Sequence, residues 1–234
     1  MPTHTRAART IAALFVVTML MGMVDAYLAA PVLRGPLGEI HAHATIVLLG
    51  ALMRLLMSAG VVAIAVAFLP VLARGNRTIA LAYLAARTAE CVLLCIGGTV
   101  HFFLLGLSRS SVAAGTGLDP TVALLAEGAL GFSRTSYQMA MTILGLAGSV
   151  HAWTLLRARL LPAWIAGMGS VGYALVLLSA LLDLVGVVDT LEGLGALMYV
   201  PGGLFELFVL PAWLWVRGFS EDAQSDRPVG AQTL

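Results

Sequence analysis

Long apolar runs, interrupted at intervals by proline, glycine and arginine, set the pattern of this chain. Six of them are near the roughly 20 residues that an α-helix needs to cross a bilayer: residues 10–29, 45–69, 78–106, 134–156, 163–185 and 195–217. The connections carry breaker residues: Pro31, Gly35, Pro36 and Gly38, then Arg74-Gly75-Asn76-Arg77, then a Ser/Gly-rich stretch over 108–118. Pro162 sits at the start of the fifth run, where a helix tolerates proline. The pattern predicts an all-α polytopic membrane protein, a bundle of six transmembrane helices over residues 1–218, followed by a disordered polar tail over 219–234.

Two segments leave alternatives open. Arg6 and Arg9 ahead of the apolar residues 11–24, with Ala26, Ala29 and Ala30 beyond, resemble a cleavable signal peptide. Asp25 interrupts the end of that run, and the expectation is a retained first helix. Asp119-Pro120 has the form of an N-cap with proline at the first helical position. The run 120–132 that follows is either a short external helix or an N-terminal extension of the fourth span.

Composition agrees with the membrane reading, at 60% hydrophobic and 11% charged residues. The 13 basic residues are all arginine, set against 12 acids, and no concentrated basic surface exists for nucleic acid. Their distribution predicts orientation. Arg6, Arg9, Arg74, Arg77, Arg157, Arg159, Arg217 and Arg227 fall on one side, and Arg34, Arg109 and Arg134 on the other. By the positive-inside rule both termini face the cytoplasm, and the plasma membrane is the expected location. The acidic turn with Asp189 and Glu192 then faces outward.

Within the spans lie Asp25, Arg54, Arg87, Glu90, Asp183 and Glu206, with His101. Even the lowest scale puts a charge at the centre of a membrane helix at roughly 2.5–3.5 kcal/mol, so each needs a partner or a function. Arg87, Glu90, Gly97 and His101 share one stripe of the third span. Gly97 and Gly98 let a helix or a ligand approach closely. Glu206 lies between Pro201-Gly202-Gly203 and Pro211, which predicts a broken sixth helix. Arg54 shares a face with Gly50 and Ser58, and Asp25 and Asp183 occupy a similar outer level as weaker candidates. The four acids outnumber the two arginines, which implies that one carboxyl is protonated or awaits a cation. His151, beside Trp153, reads as interfacial, as do Trp164, Trp213 and Trp215. Cys91 and Cys95 read as small core residues, since side chains four apart on a helix do not converge into a disulfide.

No Walker glycine loop, His-Glu-x-x-His zinc motif or Gly-x-Ser-x-Gly elbow is found, and no metal or organic cofactor is expected. The first expectation is a transporter or receptor, its outward-opening cavity lined by Arg54, Arg87, Glu90, His101 and Glu206 and taking a small or amphiphilic ligand. The second is an intramembrane enzyme using Glu90 or Glu206 as general acid on a lipid or isoprenoid-like substrate. The third is a structural protein whose charges only fix helix packing.

Three stretches add a family resemblance: Tyr83-Leu84-Ala85-Ala86-Arg87-Thr88-Ala89-Glu90, Leu155-Leu156-Arg157-Ala158-Arg159-Leu160-Leu161-Pro162, and 201–218 with Glu206 and Trp213-Leu214-Trp215-Val216-Arg217-Gly218. Together the chain resembles the bacterial and archaeal integral-membrane family catalogued as domain of unknown function 4386, from the first span to Gly218. The resemblance implies six helices in one domain and supplies no activity. Arg54, Arg87, Glu90 and Glu206 match its polar positions.

Overall fold

A computed structural model describes residues 3–114 and 119–219. Six helices are long and apolar enough to cross a membrane: α1 (Arg6–Leu33), α2 (Leu37–Ala73), α3 (Arg77–Ala113), α4 (Pro120–Arg157), α5 (Ala163–Leu184) and α6 (Gly193–Val216). No strand occurs among the described residues. Each helix packs on its sequence neighbours and α6 returns to α1, so the bundle closes into a ring. Leu49, Leu52, Leu55, Phe102, Leu146 and Phe208 are among the large apolar side chains turned outward, as a lipid-facing surface requires. The chain is a multi-pass helical membrane protein.

Local sequence explains the helix ends. Asn76 caps α3, its side-chain oxygen accepting from the backbone N–H of Thr78 at 2.9 Å and of Ile79 at 3.2 Å. Asp119 caps α4 by accepting from Thr121 N at 2.8 Å, with Pro120 at the first helical position. From there α4 runs unbroken for 38 residues. The segment 120–132 is therefore not a separate external helix but the N-terminal extension of α4. At 1.5 Å per residue α4 is about 57 Å long and overshoots the ~30 Å hydrocarbon layer. The overhang is stabilised by an apolar cluster of its own, in which Leu33, Leu37 and Ile40 pack on Val100, Leu104, Leu105 and Ala126. The α5 terminus closes with Gly186 at φ +75°, and Val187 N–H reaches back to Leu182 O at 2.9 Å.

Two helices are irregular at the same kind of sequence. Asp25–Ala29 in α1 and Phe205–Val209 in α6 are π-helical turns, and each ends one residue before an X-Pro pair, Ala30-Pro31 and Leu210-Pro211. Proline offers no N–H and its ring crowds the carbonyl four residues back. The backbone widens to i→i+5 bonds instead, with Ala30 N–H on Asp25 O and Leu210 N–H on Phe205 O. The sixth helix is thus continuous through Pro201-Gly202-Gly203, and its irregularity is a widened turn, not a break. Gly202 serves packing: a Cβ on Gly172 of α5 would lie 2.8 Å from the Gly202 Cα.

The polar tail expected over 219–234 falls outside the described residues from 220 onward. Phe219 itself is not part of a free tail, since its ring packs edge-on to Phe68 at 6.0 Å.

Candidate functional site

The seven ionisable residues predicted within the spans fall into three groups. The first lies toward the Arg34 and Arg109 end of the bundle, between α1, α2 and α3. Asp25 is placed at the start of the α1 π turn, and Gly50 opens room for it, since a Cβ there would sit 3.0 Å from Asp25 Oδ1. Arg54 Nε donates to Asp25 Oδ2 at 2.7 Å, its stem running over Gly98 of α3. His101 Nε2 stands 2.7 Å from Asp25 Oδ1, and its Nδ1 stands 3.2 Å from the carbonyl of Gly98. One carboxylate thus ties three helices. All three side chains are largely withdrawn from solvent, Arg54 the least at 15% exposed.

The second group sits deeper. His101 and Glu90 are eleven residues apart on α3, about 16 Å along the axis. Arg87 Nη1 meets Glu90 Oε2 at 2.9 Å, both side chains buried. The contact lacks hydrogen-bond alignment, and Arg87 Nε has no hydrogen-bond partner among the described residues. Glu206 enters from the α6 π turn, where Oε1 accepts a 2.7 Å hydrogen bond from the Tyr173 hydroxyl of α5. The Tyr173 ring rests on Gly148 of α4. Glu206 is within electrostatic reach of Arg87 and Glu90. No ion pair to it forms among the described residues, so the cluster holds one cation against two acids.

Asp183 belongs with neither group. Arg134 of α4 grips both of its oxygens, at 3.0 and 2.9 Å, and Thr190 adds its backbone N–H at 2.7 Å and its hydroxyl at 2.8 Å. Gln138 also donates to it at 3.2 Å. This carboxylate clamps the α5–α6 connection onto α4. A cavity of about 590 Å³ opens beside it, lined by Arg134, Gln138, Asp183 and Asp189 among others, and not by Arg87 or Glu206. The single cavity expected to gather Arg54, Arg87, Glu90, His101 and Glu206 is therefore two separate clusters. Tyr137 of α4 is within electrostatic reach of both, of Arg54 and Asp25 in the one and of Glu90 and Glu206 in the other.

His151 corrects an expectation. It is 1% exposed, stacked on Tyr83 with ring centroids 4.4 Å apart and edge-on to Phe68 at 4.5 Å, so it is a core residue and not an interfacial one. Hydropathy placed it near a helix end. The bundle continues past it through Leu155, Leu160 and Leu161, all buried. Trp164 and Trp215 are exposed, whereas Trp213 is partly buried with its edge to Trp164. Cys91 and Cys95 are free thiols and half-buried, toward the edge of the core rather than in it. The residues that sequence reasoning missed are tyrosines: Tyr83, Tyr137 and Tyr173 look like ordinary apolar filling until their neighbours are known. Among the described residues no group of three or more His, Cys, Asp or Glu could hold a metal ion.

Neither a curated protein nor a solved structure matches this chain. One family model does, over residues 10–218, which include α2–α6 and every residue of the clusters described above. The chain therefore belongs to the family described as Domain of unknown function (DUF4386).

Proposed function

We propose that this protein sits in the plasma membrane with both termini in the cytoplasm and binds, for transport, a small or amphiphilic ligand at the Arg87–Glu90–Glu206 cluster. One observation carries the reading: a buried acid without an ion-pair partner among the described residues, on a widened turn, within electrostatic reach of an arginine with an unused donor. Buried polar groups normally find partners, and those left over at membrane depth mark ligand or ion positions. Packing alone explains the cluster poorly. Arg87 and Glu90 are three residues apart on one helix, so their pair fixes no register between helices. The turn that Pro211 widens around Glu206 supplies a helix able to adjust when a ligand arrives. Arginine asymmetry supports the orientation.

The test compares wild type with Glu206→Gln in one detergent, alone and with a panel of alkyl ammonium, alkyl phosphate and zwitterionic amphiphiles. The expected result is a variant as stable as wild type or more so, because the unmatched charge is gone. At least one panel member should raise the wild-type unfolding temperature and fail to raise that of the variant. A variant less stable by ~3–5 kcal/mol, the loss typical of a broken buried pair, would make Glu206 a strut and overturn the reading. So would a panel that shifts both proteins equally.

A further inference from the structure

The hydrogen bonds of His101 do not close with the usual proton count. Its Nε2 faces a carboxylate oxygen at 2.7 Å and its Nδ1 faces a backbone carbonyl at 3.2 Å, and neither partner has a hydrogen to give while Asp25 is ionised. A neutral imidazole has one donor and one acceptor nitrogen. Either tautomer would set a ring lone pair against an oxygen lone pair in a buried site, which forfeits a hydrogen bond and adds repulsion. One further proton resolves this, on the ring or on Asp25.

The charge count points the same way. With Arg134 taking Asp183, the buried acids left are Asp25, Glu90 and Glu206, against Arg54 and Arg87. A proton on the His101 ring makes three positive charges against three negative ones along the bundle interior, and a proton on Asp25 makes two against two. Beside the pair stands Arg54 from α2, on the second oxygen of Asp25, and the Tyr137 phenol of α4 is within electrostatic reach of Asp25 and Arg54. Arg54 cannot serve as the proton's seat, since a guanidinium keeps its charge in proteins.

We infer that Asp25, Arg54 and His101 form a proton-binding site, distinct from the Arg87–Glu90–Glu206 cluster, in which one proton is shared between His101 and Asp25 and completes the tie between α1 and α3. The assignment stands whether or not the Glu206 cluster takes a ligand. Because α1 also packs against the Phe205–Val209 turn, the contact that the proton completes bears on the helix holding Glu206.

The experiment is solid-state NMR on the full-length protein in lipid bilayers near neutral pH, with ¹⁵N-labelled histidine, together with infrared spectra of the carboxyl region. His101 is identified as the signal missing in His101→Gln. If that variant fails to fold, it is identified in the wild type by its through-space contact to the Asp25 side chain. The expected result is hydrogen on both ring nitrogens of His101, or a protonated-carboxyl band that disappears in Asp25→Asn. A singly protonated His101 beside an ionised Asp25 would overturn the inference. The Glu206→Gln comparison does not enter this readout, so either conclusion can fail without the other.

Discussion

Removing Arg87 should cost far more than removing Glu90, although the two form one ion pair. The asymmetry follows from the third charge. Arg87 is the cation of a cluster that also holds Glu206, so Arg87→Met leaves two buried acids with none. Glu90→Gln leaves one cation and one acid, with Arg87 free to turn toward Glu206. Breaking a buried pair by deleting one partner costs ~3–5 kcal/mol when the remaining charge stays uncompensated. That figure applies to Arg87→Met, whereas Glu90→Gln should stay near the ~1 kcal/mol of an average substitution. At ~2–4 °C per kcal/mol for a chain of this size, Arg87→Met should lower the unfolding temperature by on the order of 10 °C and Glu90→Gln by a few degrees. Arg87→Met combined with Glu90→Gln should recover part of the loss, because a single acid then remains on the Tyr173 hydroxyl. Thermal unfolding of the four proteins in one detergent measures this. Equal losses for the two single variants would refute the reasoning, because Arg87 would then be serving Glu90 alone.

Two further outcomes follow from the packing. Gly172→Ala would place a methyl 2.8 Å from the Gly202 Cα and 2.9 Å from its nitrogen, contacts that only a movement of α5 away from α6 can relieve. It should destabilise by ~1–3 kcal/mol in the same unfolding assay, while Gly167→Ala, where a Cβ meets nothing within 4 Å, should not. His151→Phe should leave stability unchanged or raise it by ~1 kcal/mol, since both ring nitrogens are buried without hydrogen-bond partners among the described residues and an aromatic ring can keep the stack on Tyr83. A loss above ~2 kcal/mol would show that a nitrogen of His151 has a partner after all.

The sequence read well wherever the relevant interaction is local. Arg87, Glu90 and His101 share a stripe because a helix brings residues three, four and seven apart onto one face, and all three are buried. Asp119-Pro120 could be read as a cap because capping needs only the next two residues. Proline spacing signalled trouble around Glu206 but not its form. A missing N–H can be met by a kink, a break or a widened turn, and neighbouring helices choose among them. His151 was misplaced for a related reason: hydropathy gives distance from a helix end, not whether the rest of the bundle covers that end.

Six apolar runs, their approximate limits and the polar stripe of α3 were determined by the chain itself, because transfer of a helix into lipid depends on the residues of that helix alone. Which charge meets which was decided only by the tertiary structure. Asp25 joins Arg54 and His101 across 29 and 76 residues, Tyr173 joins Glu206 across 33, and Asp183 goes to Arg134 across 49. Those pairings depend on the rotation and depth of separate helices, which are set by small-residue contacts such as Gly50 on Ala29 and Gly172 on Gly202. A list of buried charges therefore became two clusters and a clamp only once the ring of helices had closed.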